Sequence, residues 1–473
     1  MTSPAALPPP LPRIASGIPG LDAVTGGGFL QSGVYILQGA PGAGKTILAN
    51  HIVHRHASAG GKVVYVTLLA ESHARLLQHM EGFAFFDAAA LADRIYYVSA
   101  FNALRSGGLP GVVELLRKEM RSRHAGVLVL DGLVMAASAA QSDEELKLFV
   151  SDIQAHSTLT GCTTLLLTSE HADRPVSAEQ TMVDGILLLR ERAWGARRER
   201  SIEVVKFRGS RTLRGTHAFQ ILAEGIVVYP RLEAVRRTPP PAGAPGVVSS
   251  GVPDLDALFA IGGLARGSIM AVSGPSGSGK TTLALHYASQ ASPREKALYL
   301  GFYESPDMLA RVGEVTGLPG AGRLRDGSVE FLWFPFGENM LDGMAAQLLE
   351  RLASSGATRV VIDGVGGFVA ATGYAERGGS FLAALMNALR ERGVTALVTV
   401  EEQDASGIRL LDTSIMSALA DTVVDLELRH DGAVRRFASI RKSRLSRYNL
   451  RLRELVLTDA GLVLAGEGPP IDA

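Results

Sequence analysis

Two stretches of this 473-residue chain keep the G-x-x-x-x-G-K-[ST] spacing: Gly39-Ala40-Pro41-Gly42-Ala43-Gly44-Lys45-Thr46 and Gly274-Pro275-Ser276-Gly277-Ser278-Gly279-Lys280-Thr281. Glycine at Gly39, Gly42 and Gly44, and at Gly274, Gly277 and Gly279, lets consecutive backbone N–H groups curl around phosphate oxygens. A helix beginning at the loop's end adds its positive N-terminus. Lys45 and Lys280 would neutralise β- and γ-phosphates, and Thr46 and Thr281 would place a hydroxyl on the Mg2+ that bridges them. The expectation is two nucleotide sites per chain; the competing reading of each loop is a Gly-rich turn.

Such a loop works only between a strand and a helix. Apolar runs at 34–37 and 269–272 precede the two loops, and helix-like stretches at 47–56 and 283–289 follow them. About 80 residues further on, each half has an apolar strand ending in an acid, Val127-Leu128-Val129-Leu130-Asp131 and Val360-Val361-Ile362-Asp363. A carboxylate there can hold Mg2+ through its water shell, although many parallel strands end in Asp for structural reasons. Between loop and aspartate, two more strands are expected to run to Glu71 and Glu304. Each glutamate can orient and deprotonate an attacking water, or simply sit near a helix N-terminus at Glu71-Ser72 and Glu304-Ser305.

The repetition extends beyond the loops. Ser16-Gly17-Ile18-Pro19 returns as Ser250-Gly251-Val252-Pro253, and Asp22 returns as Asp256 at the same offset, so the chain is a tandem duplication. The expected organisation is a disordered tail at 1–13, a first α/β domain at 14–230, a Pro/Ala/Gly tether at 231–247 and a second domain at 248–473. Lys and Arg number 47 against 47 Asp and Glu, a net charge of zero that argues against a polyanion binder. The one cysteine, Cys162, lies in apolar surroundings and rules out an intramolecular disulfide framework. The N-terminus lacks a signal peptide's basic start and apolar core, and Asp131 and Asp363 interrupt the longest apolar runs, so a cytoplasmic location without membrane insertion is expected.

The tandem loops, the Ser-Gly-Ile/Val-Pro openings, the Glu-Ser pairs and two Lys-x-Arg segments together resemble the KaiC family of the RecA/RadA superfamily, over nearly the whole chain. The resemblance implies two tandem RecA-like P-loop NTPase domains, each a mostly parallel twisted sheet flanked by helices. It further implies a homohexamer of two stacked rings, with ATP and Mg2+ held between neighbouring subunits. Lys206-Phe207-Arg208-Gly209-Ser210 matches the segment whose cations reach the adjacent subunit's γ-phosphate. Lys442-Ser443-Arg444 matches it in the second half, with Leu445 in place of the glycine. The alternative for both is a solvated basic hairpin, the reading given to Arg197-Arg198-Glu199-Arg200 and Arg435-Arg436.

Family members carry two consecutive glutamates where this chain has Ala70-Glu71 and Tyr303-Glu304, which implies slower hydrolysis or a ring that only binds nucleotide. Ser417 aligns with a phosphoserine of clock members, while Ala418 replaces the neighbouring phosphothreonine, leaving single-site autophosphorylation or an unmodified helix. The sequence ends at Ala473, without the tail by which clock members meet their regulator, so clock function itself is not expected. Two other classes remain: a RecA/RadA-type DNA-dependent ATPase using Arg208 to Arg214, and an ATP-assembled switch that engages a signalling partner protein.

Overall fold

The structure is a computed structural model, and it describes residues 11–68, 73–91, 93–169, 178–194, 197–235, 246–318, 320–335, 337, 339–370, 377–402, 413–430, 432–459 and 461–467. The chain divides into two compact units, Met1–Val235 and Arg236–Ala473. Each is built on one nine-stranded sheet.

In the first unit the strands of that sheet are β1 (Val34–Gly39), β2 (Val63–Thr67), β3 (Ile95–Ser99), β4 (Val127–Asp131), β5 (Thr163–Thr168), β6 (Gly185–Trp194), β7 (Arg197–Phe207), β8 (Thr216–Leu222) and β9 (Gly225–Tyr229). Their spatial order is β9-β8-β7-β6-β1-β5-β4-β2-β3. In the second unit they are β10 (Ile269–Gly274), β11 (Ala297–Gly301), β12 (Val329–Trp333), β13 (Arg359–Asp363), β14 (Thr395–Glu401), β15 (Thr422–His430), β16 (Val434–Ser443), β17 (Arg453–Thr458) and β18 (Gly461–Glu467). The order β12-β11-β13-β14-β10-β15-β16-β17-β18 repeats the first sheet strand for strand. In both sheets six strands run parallel, and the last three form an antiparallel extension.

The apolar runs are continuous because helices cover both faces of the parallel part. Alternate residues of β1 enter different cores: Tyr35 and Leu37 pack with Leu48, Ile52 and Tyr65, whereas Val34 and Ile36 pack with Leu116, Leu130 and Phe149. Cys162 is fully buried and its thiol is pushed up to about 12 by desolvation, which makes it an inert packing group.

The repeated opening motif is a structural turn. Asp22 Oδ1 accepts the N–H of Ser16 at 2.9 Å, and Asp256 Oδ1 accepts that of Ser250 at 2.9 Å. Ser16 and Ser250 hydroxyls then accept from Ile18 and Val252. Gly17 and Gly251 have φ of 67° and 86°, a left-handed backbone that glycine alone adopts cheaply. Among the described residues no helix is long and apolar enough to cross a membrane.

Candidate functional site

Both phosphate loops leave the carboxyl end of the central strand. β1 ends at Gly39 and is followed by the helix Lys45–Ser58; β10 ends at Gly274 and is followed by the helix Lys280–Ala288. A methyl group on Gly39 would lie 2.4 Å from the Leu189 carbonyl oxygen, and one on Gly274 would lie 2.4 Å from that of Leu426, so a neighbouring strand demands these two glycines. Gly42 and Gly277 have φ of 80° and 77°, and nothing lies within 4 Å of an added Cβ at either. That open side is the cradle a phosphate would fill. Lys45 Nζ donates to the carbonyls of Gly39 (2.7 Å) and Ala40 (2.9 Å), and Lys280 Nζ to those of Gly274 (2.8 Å) and Pro275 (2.7 Å). Burial holds both ammonium groups below their ordinary pKa, which favours their meeting an anion.

Asp131 and Asp363 close β4 and β13, two strands away from the loop strands. Thr46 Oγ1 donates to Asp131 Oδ2 at 3.4 Å. In the second unit Thr281, Asp363, Lys280 and Glu304 line one cleft of about 570 Å³ beside the loop. Hydroxyl and carboxylate are the oxygen donors that magnesium takes, so the residues fit the ion. No cluster of three or more His, Cys, Asp or Glu among the described residues could hold a metal alone, so the ion would depend on the nucleotide's phosphates.

Glu304 lies beyond the strand that was expected to carry it. β11 stops at Gly301, and the helix Pro306–Val315 starts after Ser305, whose hydroxyl accepts the N–H of Met308. Glu304 is thus fixed between a strand end and a capped helix. Burial and the neighbouring Asp363 carboxylate raise its pKa above the usual range, as suits a proton acceptor. Tyr303, 51% exposed, lines the same cleft. Glu71 lies outside the described residues, as does the stretch 69–72 around it.

Arg436 corrects the hairpin reading. Its Nε donates to the carbonyl of Gly277 at 2.9 Å and it lines the cleft, whereas Arg435 is paired with Glu454. In the first hairpin Arg198 and Arg200 pair with Glu191.

The Lys-x-Arg segments lie at the opposite end of each sheet from that unit's own loop. Lys206 Nζ donates to the carbonyls of Gln180 and Thr181, at 3.1 Å each, and Arg208 faces Asp184 at 3.8 Å. Asp184 accepts the N–H of Val34, where β1 begins, five residues before Gly39. In the second unit Lys442 Nζ donates to the carbonyls of Ser417 (2.5 Å) and Ala420 (3.0 Å), and Arg444 to that of Ala418 (3.0 Å). Ser417 sits on the helix Thr413–Leu419 at this same end, half-buried.

Two residues that spacing did not single out touch the strand-end aspartates. Tyr65 OH donates to Asp131 Oδ2 at 2.9 Å, and Tyr299 OH to Asp363 Oδ2 at 2.6 Å. Thr399 adds a bond to Asp363 Oδ1 at 2.6 Å. The only sequence signal was that both tyrosines fall at matching places in the two halves.

A parallel sheet with a phosphate loop after its central strand and an acid at a nearby strand end defines a RecA-like P-loop NTPase, here present twice. The ATPase family described as KaiC matches residues 14–233 and again 248–468, and the chain belongs to that family. It is similar to the circadian clock oscillator protein KaiC of Parasynechococcus marenigrum, 25% identical over 97% of this chain and 90% of that protein. It is also similar to the circadian clock protein KaiC2 of Synechocystis sp., 27% identical over 96% of this chain and 82% of the relative.

Proposed function

We propose that this tandem ATPase assembles as a homohexameric double ring, hydrolyses ATP slowly at its subunit seams, and serves as a nucleotide-dependent assembly or signalling switch that engages a partner protein. The observation that carries this reading is the position of the Lys-x-Arg pairs. Arg208 N–H bonds the Asp184 carbonyl beside the start of β1, and Arg444 N–H bonds that of Asp421 beside the start of β10. A six-residue strand spans roughly 17 Å, so these cations are a sheet's length from their own loop and suit the γ-phosphate of another copy.

Within a seam, the loop amides and Lys45 or Lys280 bind the phosphates. Thr46 and Asp131, or Thr281 and Asp363, would hold magnesium, which would neutralise charge developing on the phosphates. Water oxygen bonds to the γ-phosphorus as the bond to the β–γ bridging oxygen breaks, ADP leaving with that electron pair. Glu304 accepts the water's proton in the second ring, and Glu71 is assigned the same task in the first. One carboxylate per site, with Ala70 and Tyr303 beside them, supports slow turnover.

Ser417 lies at the end of the sheet remote from its own loop, so phosphate would reach it only from another copy's ATP. Intact-mass measurement after ATP incubation tests this; phosphate that persists in Ser417→Ala removes it. The reading as a whole is tested by particle mass and phosphate release, each with and without ATP and Mg2+. A ring that turns over slowly is expected, and a monomer in saturating ATP would refute it. Single-stranded DNA that strongly accelerates release would favour a DNA motor instead.

A further inference from the structure

We propose that Tyr65 and Tyr299 are positioning residues that aim the two strand-end aspartates at the water shell of magnesium. This rests on the reading that both loops hold a magnesium nucleotide.

In the parallel register Tyr65 pairs with Val129, and Thr67 with Asp131. Tyr299 pairs with Val361, and Gly301 with Asp363. Each tyrosine therefore lies two residues below the position opposite its aspartate, on the same face of the sheet. Two residues of strand rise about 6.6 Å, close to the reach of a phenol ring, which brings the hydroxyl to the carboxylate along the diagonal. The two bonds, at 2.9 and 2.6 Å, engage the same oxygen, Oδ2, in both halves.

Packing does not explain the hydroxyls. Tyr65 and Tyr299 are 0% and 1% exposed, and their rings sit against Tyr97 and Phe331, surroundings that phenylalanine would fill equally. A buried hydroxyl is costly unless paired, and in each half the partner is the strand-end aspartate of the phosphate-loop site. The donated hydrogen bond fixes the carboxylate's rotation, so that its oxygens can be presented to a metal-bound water. In the second unit Thr399 Oγ1 also donates to Asp363 Oδ1 and accepts the Gly364 N–H at 2.7 Å, and the corresponding strand of the first unit carries Leu167 at that register.

The test uses the full chain and a fluorescent ADP analogue, titrated with magnesium from EDTA upward. Tyr65→Phe is placed in a Lys280→Ala background, where the first site reports alone, and Tyr299→Phe is compared with the unaltered chain, the second site being read as the difference from the Lys280→Ala titration. The expected result is a magnesium half-saturation about 10-fold higher than in the parent variant, with metal-free nucleotide binding unchanged. An unchanged magnesium requirement, or an equal loss of metal-free binding, would overturn the proposal. Parent variants that bind no nucleotide would overturn the nucleotide reading itself.

Discussion

Arg436 Nε donates to the Gly277 carbonyl at 2.9 Å, so a side chain from the antiparallel extension reaches over the second phosphate loop. Its counterpart in the first unit, Arg200, stands six residues before Lys206 as Arg436 does before Lys442, and it pairs with Glu191 instead. The duplicated domains have therefore diverged at the rim of the nucleotide cleft.

Arg436→Ala is expected to weaken nucleotide binding at the second site by about 5-fold, close to 1 kcal/mol for an exposed charge-assisted contact. Arg200→Ala should leave the first site's affinity unchanged. Nucleotide titrations of the two variants check the asymmetry.

Glu304 is a carboxylate with a raised pKa, so its stability and activity effects have opposite signs. Its folded-state pKa exceeds the unfolded one, so the native state holds the extra proton and loses stability as pH rises through that window. Glu304→Gln should raise the second domain's Tm at pH 7 and have no effect well below pH 4. The same variant should cut its phosphate release by about 10²-fold or more. Wild-type release should fall on acidification at a higher pH than an ordinary glutamate would give.

The first domain should be the acid-sensitive one. Burial holds His51 and His54 at about 4, helped at His51 by Arg55 and opposed at His54 by Asp87. His51 Nδ1 accepts the Ile226 N–H and His54 Nδ1 accepts that of Asp87, bonds that protonation would break. Between about 6.5 and 4 the unfolded chain binds more protons, so stability is lost as pH falls across that range. The second unit has His286 at the place of His51, also lowered by burial and accepting the Leu462 N–H. The chain has two tryptophans, Trp194 in β6 and Trp333 in β12, so Trp333→Phe and Trp194→Phe variants report each domain's melting separately. A larger Tm drop in the first domain between pH 6.5 and 4.5 is expected; equal drops would refute it.

Catalysis in trans predicts complementation. Lys45→Ala should abolish ATP-dependent assembly, while Lys280→Ala should assemble and change only the second ring's chemistry, as size-exclusion chromatography with and without ATP would show. In the Lys280→Ala background, Arg208→Ala should lose about 10³-fold or more of the first ring's turnover. Mixed with full-length Arg208-containing subunits, its ATP sites should recover activity in proportion to the mixing ratio, and no recovery would place the cation's action within one chain.

Local spacing made much of the site legible. The two loops, Asp131 and Asp363 were readable because a phosphate cradle needs glycines at set intervals and a nearby strand must end in an acid, and each of these motifs is itself only a few residues long. The duplication was readable because motifs returned at nearly the same offset, and it correctly implied two copies of one sheet. Glu304 was named, although its strand ends at Gly301 and the segment after it turns away to reach Ser305.

Tyr65 and Tyr299, by contrast, looked like interior residues of apolar strands, and Arg436 like solvated charge. Their roles depend on which strand lies beside which, and at what register. That information comes from pairing between segments tens to more than a hundred residues apart: β2 against β4, and β16 folded back over the loop after β10. Sequence alone determined the chemistry that glycine, lysine, threonine and aspartate could perform at the loops, because those groups act through neighbours along the chain. Tertiary structure alone decided which hydroxyl meets each aspartate, and that Lys206 and Lys442 lie at the far end of the sheet from their own phosphate loops, because strand order and direction set those distances.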